Sequence, residues 1–206
     1  MKSRWMMVLC LLALMSVPAL AQQEKPQEKP PAGMPDMNSP EMQAMMKAMS
    51  PGPEHKRLAR MAGDWTYTSK MYMAPGAPPM EWGGTMHGEM ILDGRYLQAV
   101  WKGNLMGQPF EGRAVEGYDN MAKKYVSSWV DNMGTAIMYS TGTCDADGKV
   151  CTSTTAADMM DPMTGQMTST RMVITWKDDK SFNMEMYMKP AGGAETKSME
   201  MMVTKK

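Results

Sequence analysis

Beyond Gly63 the apolar and polar side chains alternate with a period of two, the pattern of a strand with one buried face. Trp65, Tyr67, Met71 and Met73 share one face against Thr66, Thr68 and Lys70, and Phe182, Met184, Met186 and Met188 oppose Asn183 and Glu185. Turn chemistry interrupts this pattern at Pro75-Gly76, Asp93-Gly94, Met106-Gly107, Asp119-Asn120 and Met133-Gly134. It does so again at Asp147-Gly148, Asp161-Pro162-Met163-Thr164-Gly165, Asp178-Asp179 and Gly192-Gly193. Nine breaks delimit about ten short strands with no helical pattern between them, the spacing of an antiparallel sandwich or barrel. Closing an up-and-down meander on itself removes the exposed edges. The expectation is an all-β fold, a barrel of about ten antiparallel strands preceded by a short helix.

Upstream the period changes. Ser39-Pro40-Glu41 reads as an N-cap, a proline at the first helical position and an early acid. Met42, Met45, Met46 and Met49 then fall on one helical stripe, and Pro51 and Pro53 end it. A second short helix over 54–61 places Leu58 and Met61 on one side and stops at Gly63. Residues 22–38 are rich in Gln, Glu, Lys and Pro and bury too little apolar area to offset the entropy of ordering. Lys2 and Arg4, the apolar run from Met6 to Val17 and Ala19-Leu20-Ala21 have the form of a secretory signal with cleavage near Ala21. The division is therefore a signal peptide (1–21), a Pro/Met-rich linker carrying the short helix (22–51) and a β-barrel domain (52–206). The mature protein is expected to be exported, to the periplasm or beyond, without a stable membrane anchor.

Composition sharpens the question of what fills the barrel. Met supplies 31 of 206 residues, while Leu, Ile, Val and Phe after residue 21 number only sixteen. Met must therefore take the apolar positions and leave a pliable interior. Lys and Arg balance Asp and Glu at 22 each, without a basic cluster, which argues against a nucleic-acid partner. Cys144 and Cys151 flank an Asp-Gly turn, which sets them opposite each other in a hairpin and predicts a cross-strand disulfide.

Several strings together resemble a known family. They are Gly52-Pro53-Glu54-His55-Lys56, Met61-Ala62-Gly63-Asp64-Trp65, Ala74-Pro75-Gly76-Ala77-Pro78-Pro79-Met80 and Pro109-Phe110-Glu111-Gly112. Gly117-Tyr118-Asp119-Asn120, Ser128-Trp129-Val130-Asp131 and the 161–165 segment complete the set. The combination, over roughly residues 52–204, is similar to the bacterial domain-of-unknown-function family 1579, which implies a defined domain but no known activity. Gly63-Asp64-Trp65 also resembles the G-x-W that opens the first strand of lipocalin-like (calycin) barrels. That likeness implies a Trp plugging one barrel end under a basic side chain, here Lys205 or Arg171.

The candidate chemistry divides in two. A Met-rich cavity suits a small apolar ligand, and Trp65, Trp101, Trp129, Asp131 and Met186 are its candidate residues. Alternatively, thioethers are soft ligands for Cu(I), and Met42, Met45, Met46 and Met49, with His55 nearby in sequence, are the candidate metal set. The same stripe also reads as an apolar face docking on the barrel, or as disorder. Under the cavity reading no cofactor is expected. G-x-S-x-G, H-E-x-x-H, C-x-x-C, P-loop and dinucleotide signatures are missing from the sequence, so no residue is nominated as catalytic. His87 lies mid-strand, and the sequence leaves its orientation open.

Overall fold

Each long strand pairs with the next long strand in the chain. In chain order the strands are β1 (Gly63–Met71), β2 (Met80–Ile91), β3 (Tyr96–Leu105), β4 (Gln108–Asp119) and β5 (Lys124–Asp131). They continue as β6 (Met138–Cys144), β7 (Val150–Thr155), the two-residue β8 (Met159–Met160), β9 (Met167–Asp178), β10 (Ser181–Pro190) and β11 (Thr196–Lys205). All pairings are antiparallel, and β11 returns to β1, with Trp65 opposite Lys205 and Met71 opposite Met199. Ten long strands thus form a closed up-and-down barrel, and β8 only pairs with the start of β9, setting Met159 opposite Thr168. The structure, a computed structural model, describes residues 36–74, 76–155, 159–161 and 165–206. The expected signal peptide, the linker up to residue 35 with Met34, and the turn residues 75 and 162–164 lie outside the described residues.

Each of the nine sequence breaks falls at the junction of consecutive long strands, two of them starting on the last strand residue, Asp119 of β4 and Asp178 of β9. Met106 and Gly107 both take positive φ (54° and 80°), the two-residue hairpin geometry whose twist matches that of the flanking strands. The Cys144–Cys151 disulfide is present, and the two residues are paired across β6 and β7. Its turn is built slightly earlier than an Asp-Gly reading implies. Asp145 accepts from Gly148 N with its carbonyl, and its carboxylate accepts from Lys149 N and Val150 N. Asp145 N still donates to Val150 O, so the cysteines stay opposite.

The barrel ends differ. The turns after β2, β4, β6 and β9 share one end with α2 (Pro53–Leu58) and the 3-10 turn Ala59–Met61. Leu58 and Met61 point inward there and are buried. Below them Trp65, wholly buried, packs edge-on against Trp176 (6.1 Å) and Phe182 (5.5 Å) and donates its indole N–H to Met61 O at 3.0 Å. Lys205 Nζ lies 5.1 Å from the Trp65 ring. The basic residue over the first-strand Trp is therefore Lys205; Arg171 instead stacks on Tyr187 and pairs with Glu195. This end is closed by interlocked rings.

Helix α1 (Pro40–Ala48) starts as expected, with Ser39 Oγ accepting from Met42 N. It buries none of its residues. Its described ties to the barrel are two hydrogen bonds from Asn120 Nδ2, to Ala48 O and Ser50 O. The methionine stripe does not dock: Met45 and Met49 are 50% and 65% exposed. Nine residues with a modest apolar stripe cannot outweigh the ordering entropy of long thioether side chains unless a complementary groove exists.

Candidate functional site: the barrel lumen

Strand registers fix which side chains face inward. Tyr67 lies opposite Gly84, Met86 opposite Trp101, Trp101 opposite Gly112 and Ala114 opposite Trp129, so one layer of the pleat lines a continuous wall. That wall is aromatic. Trp101, Tyr67, Trp82, Phe110 and Trp129 form a chain of ring contacts with centroid separations of 5.3, 5.3, 5.1 and 6.4 Å. Gly112 makes room for it, since a Cβ there would sit 2.2 Å from the Trp129 ring. Facing this arc, Met172, Met184, Met186, Met199 and Met201 from β9, β10 and β11 form a thioether wall. Ser127, Ser140, Ser153, Thr155 and Thr170 supply a third, hydroxyl-bearing side.

Between these walls lies a chamber of about 350 Å³. A smaller recess of about 70 Å³ lies toward the closed end, under Leu58, Met61 and Trp176. The two share Glu116, Ser127, Ser140, Ser153 and Met172.

Trp101, Trp129, Asp131 and Met186, nominated from sequence, all line the chamber. Trp129 and Asp131 are joined, the indole N–H donating to Asp131 Oδ2 at 2.7 Å, while Asp131 Oδ1 accepts from Met133 N and Gly134 N. The carboxylate thus caps its own turn and orients a wall ring. Trp65 is not a chamber residue; it belongs to the plug. Met42, Met45 and Met46 on α1, and Met49 at its C-cap, lie outside the barrel. His55 is buried at the start of α2, where its Nδ1 accepts from Gly52 N at 3.0 Å and its ring meets Tyr118 edge-on. Its neighbour Glu54 accepts from the Tyr125 hydroxyl and pairs with Arg57, which reaches Ala146 O. These contacts explain the Pro-Glu-His-Lys string as a device that bolts α2 across the barrel end. His87 points outward, 2.7 Å from Asp64 Oδ1. Neither imidazole faces the chamber.

The sequence reading missed Glu116. It continues the inward set Phe110, Gly112 and Ala114 on β4, lies opposite Ser127 and Leu97, and borders both the chamber and the recess. It is part-exposed, but the surface it exposes faces the lumen rather than bulk water. No described residue hydrogen-bonds or ion-pairs with its carboxyl, and burial pushes its pKa up to about 7. The available signal was phase alone. Val115, outward and 39% exposed, is the apolar member of the pair, which inverts the usual rule. Trp82 Nε1 is a second buried polar atom of the wall without a partner among the described residues. Tyr67 is also shifted by burial, up to about 12, so its hydroxyl, which donates to Lys102 O, stays neutral.

No curated protein matches the chain. Among solved structures it is similar to Rv2717c from M. tuberculosis, at 12% identity and a TM-score of 0.54, covering 76% of this chain and 99% of that one. A redesigned β-barrel also matches, at 12% identity and a TM-score of 0.38, over 73% of this chain and 95% of that one. The first likeness supports the barrel fold and nothing finer. The sequence strings carry further: residues 50–205 match the family described as "Protein of unknown function (DUF1579)", and the chain belongs to that family.

Proposed function

We propose that this chain is an exported calycin-like barrel that holds a small apolar molecule in its lumen. The observation that carries the reading is the hollow itself, about 350 Å³ walled by an aromatic arc and facing methionines. Ligand sites are of this kind: concave, mostly apolar and furnished with a few polar groups. Methionines in the turns at the open end, Met73, Met106 and Met133, are 48–74% exposed and give an apolar ligand a surface to cross. The disulfide fits the oxidising compartment that the Ala19-Leu20-Ala21 cleavage pattern implies. The test is fluorescence of N-phenyl-1-naphthylamine titrated with the protein. Wild type should enhance the signal saturably, and Ala114→Leu, which fills the chamber beside Trp129, should weaken binding at least about tenfold. No enhancement by wild type, or equal binding by the variant, overturns the reading.

A second reading, Cu(I) handling, is favoured by one observation: the α1 methionine stripe faces solvent instead of the barrel. Thioethers at Met42, Met45, Met46 and Met49 would then act without His55, whose Nδ1 is occupied. A Cu(I) competition titration should show affinity lost when the residues before Gly52 are removed. Unchanged affinity eliminates the segment.

A further inference from the structure

Building on the hollow-barrel reading, we propose that the lumen is selective for amines: an apolar body lying in the chamber with a protonated nitrogen seated on Glu116. Three observations converge on this class. The first is placement, because Glu116 projects into the space where chamber and recess meet and no described group pairs with it. An unpaired carboxylate facing an apolar chamber is disfavoured, and a ligand that brings a cationic donor recovers that cost. Serine hydroxyls stand beside it, and Ser127 and Ser140 spend one of their two protons on each other at 2.6 Å, but neutral donors leave the charge of a carboxylate uncompensated.

The second observation is the charge census. Among the described residues the chamber is lined by two carboxyls, Glu116 and Asp131, and by no Lys, Arg or His. Asp131 is satisfied by Trp129 and its own turn. Arg57 and Arg60 border the recess, yet Arg57 is held by Glu54 and Ala146 O, while Arg60 lies over Trp176 at 3.9 Å and reaches Asp179. Tyr67 and Tyr125, the titratable hydroxyls of these walls, are pushed upward by burial and stay neutral. The remaining wall donors, including Trp82 Nε1, are neutral as well. An anionic ligand would meet Glu116 with nothing to offset the repulsion. A fatty-acid-like carboxylate is thereby disfavoured.

The third is the wall itself. Aromatic faces attract cations, most of all where water is excluded, and five rings line this chamber. The volume sets the size: about 350 Å³ is at the small end of ligand pockets, which run from about 300 to about 1,000 Å³, so a small ring system or a ten-carbon chain is the scale of ligand it takes. Decylamine is a probe of that scale.

The experiment displaces N-phenyl-1-naphthylamine from the full-length protein with decylamine, decanol and decanoate at about pH 8. Decylamine should compete at least about tenfold better than decanol, and decanoate worst. In Glu116→Gln the advantage of decylamine over decanol should vanish. Equal affinities, a preference for decanoate, or an amine preference that survives in Glu116→Gln each overturns the proposal. Because the carboxyl is about half-protonated near neutrality, decylammonium binding to wild type should release a proton there. Calorimetry in buffers of different ionisation heat, repeated from about pH 5 to about pH 8, reads this without any variant, and the absence of release at every pH also overturns the proposal. Failure of the naphthylamine to bind removes the hollow-barrel reading and this one with it. Naphthylamine binding without head-group selectivity removes only this one.

Discussion

The two ends of this barrel are made by the same strands and behave as opposites. At the closed end Trp65, Trp176 and Phe182 interlock under Leu58 and Met61, with Arg60 and Lys205 spread over the indoles. A few residues further along, the same strands carry Met184, Met186, Met199 and Met201 around open space. Rigid rings fill volume with few rotamers, whereas a thioether chain bends to whatever is present. The difference teaches that methionine abundance here is no single property. It supplies filler in the core, wall in the chamber and exposed surface on α1.

The largest expected effect breaks the closed end. Trp65→Ala removes a fully buried ring from a packed cluster and should cost about 3–5 kcal/mol in urea unfolding. Met186→Ala, on a half-buried chamber residue, should cost under about 2 kcal/mol, because part of its side chain already borders empty space. Comparable losses would mean that the chamber is packed as tightly as the plug.

Glu116 sharpens the comparison through pH. Its folded pKa is raised above the ordinary 4.5, so the folded state binds the proton more tightly than the unfolded chain. Stability tied to that proton is complete below about pH 4.5 and is lost as pH climbs to about 7. Glu116→Gln should therefore be neutral at about pH 4 and stabilise the protein at about pH 8 by roughly 2–3 kcal/mol. Urea titrations at the two pH values check it, and equal shifts at both would show that the carboxyl sits in water.

Much of the architecture was legible because it rests on local chemistry. Turn residues punctuate every strand, alternation supplies the faces, and Cys144 and Cys151 are fixed by one hairpin. The site was legible only in part. Trp101, Trp129, Asp131 and Met186 were found by residue type, and Trp65 was misplaced for the same reason, since type does not say how far along the axis a ring sits. Glu116 escaped because Ala114-Val115-Glu116-Gly117-Tyr118 reads equally well in either phase, and only the register with Leu97 and Ser127 turns the carboxyl inward. The serine side escaped because hydroxyls at alternate positions look like a solvated face. Burial depends on strands far away in sequence.

The hairpin disulfide offers a middle-sized test. It closes a short loop between residues seven apart, so replacing both cysteines by serine should cost about 2–2.5 kcal/mol on chain-entropy grounds. Cys151 and Met172 border the recess, and Cys144→Ser/Cys151→Ser should leave naphthylamine binding in the main chamber intact. A binding loss larger than the stability loss would mean that the ligand reaches from the chamber into the recess.

The smallest expected effect concerns α1, the element that belongs to neither end. Its described attachment is Asn120 Nδ2, at 2.8 and 2.9 Å from two carbonyls at the helix C-terminus, and it buries no side chain. A typical hydrogen bond is worth about 1 kcal/mol net, and exposed ones less. Asn120→Ala should therefore change barrel stability by under about 1 kcal/mol, and so should removal of the residues before Gly52. The family match begins at residue 50, which is where such an independent segment would end. Amide exchange on the α1 backbone provides the decisive contrast: rapid exchange beside a protected barrel would show a tether whose methionines are free to meet a partner. Protection comparable to the strands, with no contact to explain it, would mean that the stripe is covered in solution after all.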